Sequence, residues 1–532
     1  MRYSLMATVA MSVLLGACGT ASHSSNMAMT VDTASPAAKP LSIVPMGEYR
    51  TGLFDEGAAE IPAYDPASKR IFVVNGGEKA IDILDMSNPD KLAKLGSIKL
   101  ATWGKAANSV AIHGNIVAAA VENDDKQAPG KAVFFDTNGD FIAAVTVGAL
   151  PDMIKFTPDG KYVLVANEGE PNDAFDNDPE GSISIIPVTG NLAGLSDADV
   201  RNISFAFLNG TDLPYGMRTS NPGTSSVAQD IEPEYIAVSK DGKTAYVSLQ
   251  ENNAVAIIDI ETANVLRVAG LGFKDHSVNA FDASDKDGEI NIRTWPVMGM
   301  YMPDTIDTIE IGGKTWVLTA NEGDSRDYDG YSEETRVGKL TLDPVAFPNA
   351  SSLQKDENLG RLKTTTAQGD TDGDGDFDVI YSYGARSFSV LDADGNMVFD
   401  SGDKFEQYMA ANYGNVFNAS DTENYSRDDR SDDKGPEPEG LATGYVNGTP
   451  YAFIGLERQG GFMVYDLTNP TNPQFVTYHS DRRFSGNPEA GTAGELAPEG
   501  MLFVEPKDSP TGNAMLIVAS EVSGSTKVYD LK

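Results

Sequence analysis

The sequence predicts an all-β protein built as a single β-propeller, and two observations carry this prediction. Five stretches share one plan, in which an extended segment, a tight turn, a second apolar extended segment and an acidic loop follow one another; they begin at Pro151, Glu232, Met302, Pro438 and Ala497. Short strands separated by Asp-Gly, Gly-Gly and Asn-Gly turns recur elsewhere, and helical periodicity is scarce. Repeats of up to four short strands favour a propeller over a sandwich.

The strand-rich units predict the number of blades. Eight units stand at 61–88, 108–148, 151–188, 232–270, 302–343, 369–402, 435–472 and 497–532. We expect seven blades, with the first and last units sharing a blade or one unit forming an insertion; eight blades, or a pair of β-sandwich domains, are the alternatives. Long polar insertions are predicted at 189–229, 273–296 and 404–434, the last of them partly helical at its start.

The charge of the chain points to its partners. The 532 residues carry a formal net charge of -38, which argues against nucleic acid and against an anionic membrane surface as partners. Cations are the natural counterparts, although many acids serve only to solvate a surface. We expect a monomer.

The first residues read as an export signal. Residues 1–17 carry Arg2 and a short apolar run, and Cys18, the one cysteine of the chain, follows the sequence Leu-Gly-Ala. This pattern resembles a bacterial lipobox, which implies cleavage before Cys18 and lipid attachment to its sulfur. We expect a signal peptide at 1–17, a flexible tether at 18–43 and the propeller at 44–532. The chain would then be exported and lipid-anchored to the bacterial cell envelope, at the outer membrane or cell surface.

The repeats place carboxylates at matched positions. Each of the five copies has one acid just before its first strand and another just after its second strand, and antiparallel pairing brings these two positions together. The predicted pairs are Asp152 with Glu168, Glu234 with Glu251, Asp304 with Glu322, Glu439 with Glu457, and Glu499 with Glu521. In a propeller the ten acids form a ring on one face, which suits Ca²⁺ first and other divalent metals next.

A second acidic motif is local. Residues 370–378 read DTDGDGDFD, with acids at loop positions 1, 3, 5 and 9 and glycine at position 6, as an oxygen cage for Ca²⁺ requires. The five predicted ligands are Asp370, Asp372, Asp374, Asp376 and Asp378. Position 12 is Tyr381 and not glutamate, so the loop is no EF-hand. It resembles the calcium loops of FG-GAP-type propeller blades, in which the loop leads straight into a strand, here predicted at DVIYSYG (378–384). The alternative is a solvated acidic turn.

Catalytic candidates follow from the acidic ring. Metal ions held there could grip a phosphate- or sulfate-bearing ligand, with Arg326 and Arg458 as clamps. Glu168, Glu322 and Glu439 complete the set of catalytic candidates, although each arginine alone is more often a salt-bridge partner. The four histidines are scattered, and Gly-x-Ser-x-Gly, Walker and dinucleotide-binding motifs are absent from the sequence.

At these motifs the sequence resembles the choice-of-anchor I family, which includes mesenchyme-specific cell surface glycoproteins. The resemblance runs from about Val44 to Lys532 and is carried by PDMIKFTPDGKYVLVANEGEP, MPDTIDTIEIGGKTWVLTANEGDSRDY, GPEPEGLATG, FIGLERQGG, LAPEGMLFV and LIVASEVSG. It implies a propeller displayed outside the cell by varied anchors. Eukaryotic members are linked to calcium biomineralisation, and bacterial members are often labelled alkaline phosphatase-like.

Three functions remain open at this point. The first is a surface lipoprotein whose propeller binds calcium and an extracellular ligand. The second is a calcium-dependent phosphoesterase, in principle like β-propeller phytases, whose motifs the sequence lacks in recognisable form. The third is an adhesion or scaffold propeller without catalysis, because a fold does not dictate a function. Whether the protein is an enzyme stays undecided by the sequence.

Overall fold

A computed structural model describes residues 38–188, 190–220 and 225–532. Seven four-stranded antiparallel sheets dominate it. Strand β1 (Ile43–Arg50) comes first along the chain. Blades one to three comprise β2 (Pro62–Asp65), β3 (Arg70–Asn75), β4 (Ala80–Asp85), β5 (Ala93–Lys99); β6 (Ala107–His113), β7 (Ile116–Val121), β8 (Pro129–Asp136), β9 (Phe141–Ala149); and β10 (Pro151–Phe156), β11 (Tyr162–Asn167), β12 (Ser182–Pro187), β13 (Arg201–Ser204).

Blade four is followed by two strands of a small accessory sheet. Blade four comprises β14 (Pro233–Val238), β15 (Thr244–Leu249), β16 (Ala254–Asp259) and β17 (Asn264–Gly270), and β18 (Phe273–Asp275) and β19 (Met298–Met300) come next. The strands after them are β20 (Ile306–Ile311), β21 (Lys314–Asn321), β22 (Asp327–Tyr328), β23 (Tyr331–Ser332), β24 (Glu334–Arg336), β25 (Lys363–Thr365), β26 (Tyr381–Ser382), β27 (Ser387–Asp392) and β28 (Met397–Asp400). Of these, β20, β21, β27 and β28 form blade five.

The last two blades close the ring. Blade six comprises β29 (Pro438–Val446), β30 (Thr449–Leu456), β31 (Phe462–Asp466) and β32 (Gln474–His479). Blade seven comprises β33 (Pro498–Val504), β34 (Ala514–Ser520), β35 (Ser525–Leu531) and, as its outermost strand, β1. The first strands of neighbouring blades touch one another in the order β2, β6, β10, β14, β20, β29, β33 and back to β2. The all-β propeller prediction is therefore confirmed, with seven blades.

Helices are few and short. Within the described residues they are α1 (Val227–Asp230), α2 (Ala350–Leu353), α3 (Lys404–Tyr413) and 3₁₀ turns at Leu192–Gly194, Asp197–Asp199, Ala206–Leu208, Val337–Lys339 and Gly414–Val416. Helix α3 lies where the sequence predicts helix. Among the described residues, no helix has the length and apolar character needed to span a bilayer.

The core is divided among the interfaces between blades. Each of the seven pairs of adjacent blades encloses its own cluster of buried apolar side chains, as in the layer of Ile236, Val247 and Ile258 against Leu164 and Ile183 between blades three and four. Burial on both faces explains why second strands such as β30 and β34 are buried along their whole length.

The structure corrects the division into units. The fifth and sixth units are one blade, because β21 pairs directly with β27 and residues 322–386 are an insertion between them. The segment DVIYSYG forms only β26, which pairs in parallel with β19 outside the blades. The insertion shares a separate core with the earlier segment 281–297, in which Phe281 and Trp295 pack with Leu359 of the insertion. The predicted polar insertion at 189–229 supplies β13, the fourth strand of blade three.

The predicted signal peptide, Cys18 and most of the predicted tether lie outside the described residues. The described end of that tether contacts the propeller. The Lys39 backbone N–H donates to the Asp466 carboxylate at 3.1 Å, and Ser42 exchanges two backbone hydrogen bonds with Lys532 at 2.8 and 2.9 Å.

Candidate metal-binding site

In five of the seven blades, a β-bulge places a polar side chain at the start of the innermost strand. The pairing register shifts next to Asn108, Asp152, Glu234, Glu439 and Glu499, each directly after the first residue of its strand. A bulge leaves an extra residue unpaired, bends the strand and re-aims its side chain. The sequence predicts an acid at four of these positions, Asp152, Glu234, Glu439 and Glu499.

The backbone just before several of these acids is strained. Leu150, Met302, Glu437 and Ala497 each precede the proline of a Pro-acid pair and have φ between +44° and +55°. Residues other than glycine avoid this left-handed region, and such strain persists only where the surrounding structure holds it. Four blades therefore use the same strained approach to aim a carboxylate.

The acids at the innermost strands meet around the axis. Asp152, Asp304 and Glu499 line a cavity of about 60 Å³ together with Asn108 and Tyr235. Burial, Glu322 and Asp152 raise the pKa of Asp304 well above its ordinary value. Burial and Glu170 raise the pKa of Asp152 to about 7.

The closest clusters join acids of neighbouring blades. Glu168 of blade three meets Glu234 and Glu251 of blade four, and one carboxylate oxygen of each lies within 4.8 Å of the others. We call these three the blade 3–4 cluster. Oxygens that share a Ca²⁺ ion at 2.3–2.6 Å can be at most about 5 Å apart, so this spacing fits one ion.

The blade 3–4 cluster is buried and incompletely satisfied. Glu234 and Glu251 are 7% and 6% exposed, and the Oε2 atom of each has no hydrogen-bond partner. Among the described residues, no lysine or arginine forms an ion pair with any of the three carboxylates, and the nearby Lys126 pairs with Glu170 at 2.7 Å. Burial and Glu251 raise the pKa of Glu234 well above its ordinary value. Burial and Asp324 raise the pKa of Glu251 to about 8.

The β22–β23 hairpin of the insertion packs on the acidic loop that follows Glu168. The Tyr328 hydroxyl donates to Glu170 at 3.2 Å, the Tyr328 ring makes an edge-to-face contact with Phe175, and the Tyr331 ring makes a tilted contact with Phe175. The Gly330 N–H donates to the Asp173 carbonyl at 2.7 Å.

A second set of carboxylates lies between blades five and six and contains cations. Its close groups are Asp304, Glu322 and Glu439, and Glu322, Glu437 and Glu457. We call these five the blade 5–6 cluster. The Lys434 ammonium lies 2.5 Å from Glu322 and 3.3 Å from Glu437, and Arg430 and Arg458 lie 2.6 and 3.2 Å from Glu437. Burial disfavours the charged form of Glu437, but Lys434, Arg430 and Arg458 outweigh it and lower its pKa to about 2.

The remaining predicted acids lie around the same ring. Burial raises the pKa of Glu499 well above its ordinary value, and Glu521 and Glu60 add to this effect. Burial, opposed by Arg458, raises the pKa of Glu521 to about 7. Sequence reasoning missed Glu60, Glu122, Glu437 and Lys434. Glu60 and Glu122 flank the strands of the first two blades, where a blade-by-blade alignment could have found them, whereas Lys434 comes from an insertion with no repeat signal.

The arginines predicted as clamps are occupied by carboxylates. Arg326 is 2% exposed, pairs with Glu232 and donates to the Asp230 carbonyl at 2.8 Å. Arg458 pairs with Asp421, with Glu437 at 3.2 Å and with Glu457 at 3.0 Å. Both side chains neutralise acids of the structure itself.

The aspartate loop lies in the insertion and not in a blade. Asp370, Asp372 and Asp374 form one close group, and Asp376 and Asp378 form another with Asp343. Asp370 accepts backbone N–H groups of Gly373 at 2.7 Å and Gly375 at 3.0 Å. Repulsion from Asp374 raises the pKa of Asp372. The loop is separate from the ring, and the expected FG-GAP-like lead into a blade strand is wrong, because the strand after it is β26.

This geometry defines a seven-bladed β-propeller whose central face carries buried, clustered carboxylates. A family model described as the choice-of-anchor I domain matches residues 60–470. The chain therefore belongs to the choice-of-anchor I family, as its motifs indicated.

Two relatives share part of their length with this chain. Gigasin-3a of Magallana gigas is 34% identical over 196 residues, which are 34% of this chain and 67% of that protein. The mesenchyme-specific cell surface glycoprotein of Strongylocentrotus purpuratus is 27% identical over 288 residues, which are 48% of this chain and 37% of that protein. The chain thus spans about two thirds of the first relative and little more than a third of the second.

Solved structures with a similar chain path include a streptogramin B lyase, with a TM-score of 0.45 and 10% identity over 94% of this chain and 100% of that chain. The hydrazine synthase of Kuenenia stuttgartiensis has a TM-score of 0.45 and 14% identity over 91% of this chain and 99% of that chain. The propeller assignment rests on the seven closed sheets themselves.

Proposed function

We propose that this protein is an exported, surface-anchored propeller that binds a divalent cation, Ca²⁺ first, on its acidic central face and presents that face to an extracellular ligand. The anchor is a lipid on Cys18. The mesenchyme-specific cell surface glycoprotein among its relatives supports placement at a cell surface. The ligand carries groups that a bound cation attracts, such as phosphate or sulfate.

The blade 3–4 cluster is the observation that carries this proposal. Three carboxylates are held within 4.8 Å of one another, and Glu234 and Glu251 each keep one buried oxygen without a hydrogen-bond partner. Buried charges need a counter-charge or a proton. A divalent cation supplies the counter-charge and gives the free oxygens a partner, and carboxylate oxygen is the ligand that Ca²⁺ prefers.

The aspartate loop is the second proposed Ca²⁺ site. Its exposed carboxylates repel one another, as the raised pKa of Asp372 beside Asp374 reflects, and a bound ion relieves that repulsion. Because the loop lies in the insertion, its ion stabilises the insertion and is independent of the ring.

Catalysis receives no specific support from the ring geometry. The predicted phosphate clamps, Arg326 and Arg458, are engaged by Glu232 and Glu437, so neither is free to hold a phosphate beside a bound cation. We therefore propose binding and not hydrolysis as the function of the acidic face.

The test is a calcium-dependent melting experiment on the whole chain. Protein freed of metal with a chelator is expected to melt at a higher temperature once Ca²⁺ is added. A ligand at 100 times its Kd stabilises the folded state by about 2.7 kcal/mol. In chains that also carry Asp372→Asn, Asp374→Asn, Asp376→Asn and Asp378→Asn, so that the aspartate loop does not contribute, Glu251→Gln removes one charged ligand and is expected to lose most of this gain.

The control is Glu357→Gln, which removes an exposed carboxylate that is 55% accessible and pairs with Lys355 at 3.5 Å. It should keep the full calcium effect. An equal calcium gain in Glu251→Gln and in the control would contradict the site. The protein would instead be an enzyme if it hydrolysed p-nitrophenyl phosphate in the presence of Ca²⁺ and if Glu251→Gln abolished that activity.

A further inference from the structure

The two carboxylate clusters of the acidic ring differ in the cationic groups that contact their oxygens. The blade 3–4 cluster has free oxygens on Glu234 and Glu251 and no ion-paired lysine or arginine among the described residues. In the blade 5–6 cluster the Lys434 ammonium lies 2.5 Å from Glu322 Oε1 and 3.3 Å from Glu437 Oε2, and Arg430 and Arg458 also pair with Glu437 at 2.6 and 3.2 Å. The Lys434 ammonium also donates a hydrogen bond to the Gly323 carbonyl at 2.6 Å.

These three oxygens are the kinds that a calcium ion takes. Two are carboxylate oxygens and one is a backbone carbonyl oxygen, and both kinds of oxygen ligate Ca²⁺ in proteins. Lys434 is 11% exposed, so water does not compete strongly for its donors. Burial opposes the charge of Lys434, but Glu322 and Glu437 raise its pKa well above the ordinary value, and the side chain stays an ammonium.

The segment that carries Lys434 is fixed on both sides. Asp432 accepts from Arg336 at 2.8 Å and from Arg361 at 2.9 Å. Arg430 pairs with Asp433 at 2.8 Å and with Glu437 at 2.6 Å. These contacts fix the backbone on both sides of Lys434 and so position its ammonium in the cluster.

We propose that Lys434 is a built-in cation that fills the blade 5–6 cluster, so that the ring binds a divalent ion only at the blade 3–4 cluster. A second divalent-metal site is thus latent in the ring, and Lys434 determines how many ions the central face binds. This inference rests on the proposed function, since it takes the blade 3–4 cluster as the occupied site.

The experiment counts bound ions in variants of the whole chain. All variants carry Asp372→Asn, Asp374→Asn, Asp376→Asn and Asp378→Asn, so that neither carboxylate group of the aspartate loop contributes. Metal-free protein is dialysed against Ca²⁺, and the bound calcium is measured by elemental analysis and by calorimetric titration. We expect one ion per chain in this background, one further ion after Lys434→Met, and none after Glu251→Gln.

The matched control is Lys363→Met. Lys363 is another partly buried lysine with two acidic partners, Glu334 at 2.8 Å and Asp433 at 3.2 Å, and it lies outside the ring. It should bind the same number of ions as the background. Lys434→Met should also gain more thermal stability from Ca²⁺ than the background does, because the ion replaces the lost ammonium.

The outcomes separate the two proposals. If Lys434→Met binds no additional ion while Glu251→Gln abolishes binding, the built-in cation is refuted and the proposed function stands. If the background binds no ion at all, the proposed function itself fails. Should Lys434→Met not fold, Lys434→Gln, which keeps a donor for the Gly323 carbonyl, is titrated in its place with the same expectations.

Discussion

Two glutamates of the acidic ring show that neighbouring charges determine whether the pKa of a buried carboxyl is raised or lowered. Glu251 and Glu437 are both almost fully buried. Burial raises the pKa of Glu251 to about 8, with a further contribution from Asp324. Around Glu437, three cations reverse the effect of burial and lower the pKa to about 2. Among the described residues, Glu251 has no ion-paired lysine or arginine, whereas Glu437 has three cationic partners.

Replacing these two residues by glutamine is expected to have opposite effects on the metal-free protein. At pH 9, Glu251→Gln should raise the free energy of unfolding by about 1 kcal/mol or more, because it removes a charge that burial penalises. Glu437→Gln should lower it by about 3–5 kcal/mol, because Lys434, Arg430 and Arg458 lose their common partner. Urea denaturation in a chelator measures both. A loss of similar size in the two variants would contradict this account.

At the scale of elements, the ring closes through the first strand of the chain. Strand β1 pairs with β35 and completes blade seven. Its Gly47 lies against blade one: the Gly47 N–H donates to the Pro89 carbonyl at 2.8 Å. A Cβ atom at Gly47 would lie 2.7 Å from the Pro89 carbonyl oxygen and from the Asp90 carbonyl carbon. The close approach of two backbones therefore requires glycine at this position.

Gly47→Ala is expected to destabilise the protein by about 1–3 kcal/mol, because two backbone segments must move apart. Gly96→Ala is the matched control. Gly96 also lies on an outermost strand, β5, but a Cβ atom there meets nothing within 4 Å. That substitution should leave the stability unchanged or raise it by about 0.5–1 kcal/mol. Chemical denaturation of both variants measures the difference, and an equal effect would show that the contact at Gly47 does not hold the closure.

At the scale of the whole molecule, the ring links metal binding to pH. Burial raises the pKa of Glu60 and Glu251 to about 8 and that of Asp152 and Glu521 to about 7. In the unfolded chain the same groups titrate near 4. The folded protein therefore holds more protons than the unfolded chain between these values, and its stability falls as pH rises through this window.

The stability of the metal-free protein should accordingly decrease between pH 5 and pH 8, by about 1.4 kcal/mol per pH unit for each proton that only the folded state holds. Saturating Ca²⁺ should flatten this decrease, because the ion replaces protons at the blade 3–4 cluster. Melting temperatures across this pH range, with Ca²⁺ and with a chelator, measure the difference. A calcium effect that grows toward pH 5 would contradict the proposed linkage.

Much of the architecture was determined by the sequence itself. Alternation of apolar segments with Asp-Gly and Asn-Gly turns is a local property, so the strands, the turns and the repeat of Pro-acid pairs could be predicted residue by residue. The acids Asp152, Glu234, Glu439 and Glu499 were found in this way, because each stands at the same place in its repeat. The repeat also carried the family resemblance.

Only the tertiary structure decided which acids of neighbouring blades share a space and which charges they contact. The sequence paired acids within a hairpin, and the predicted pairs Glu234 with Glu251 and Asp304 with Glu322 do lie in close groups, but Glu168 joins Glu234 and Glu251 across a blade boundary. It joined neither β21 to β27 nor Lys434 to Glu322, since long insertions separate these partners. Pairing between residues so far apart in sequence depends on how the blades close into a ring, and no local sequence pattern indicates it.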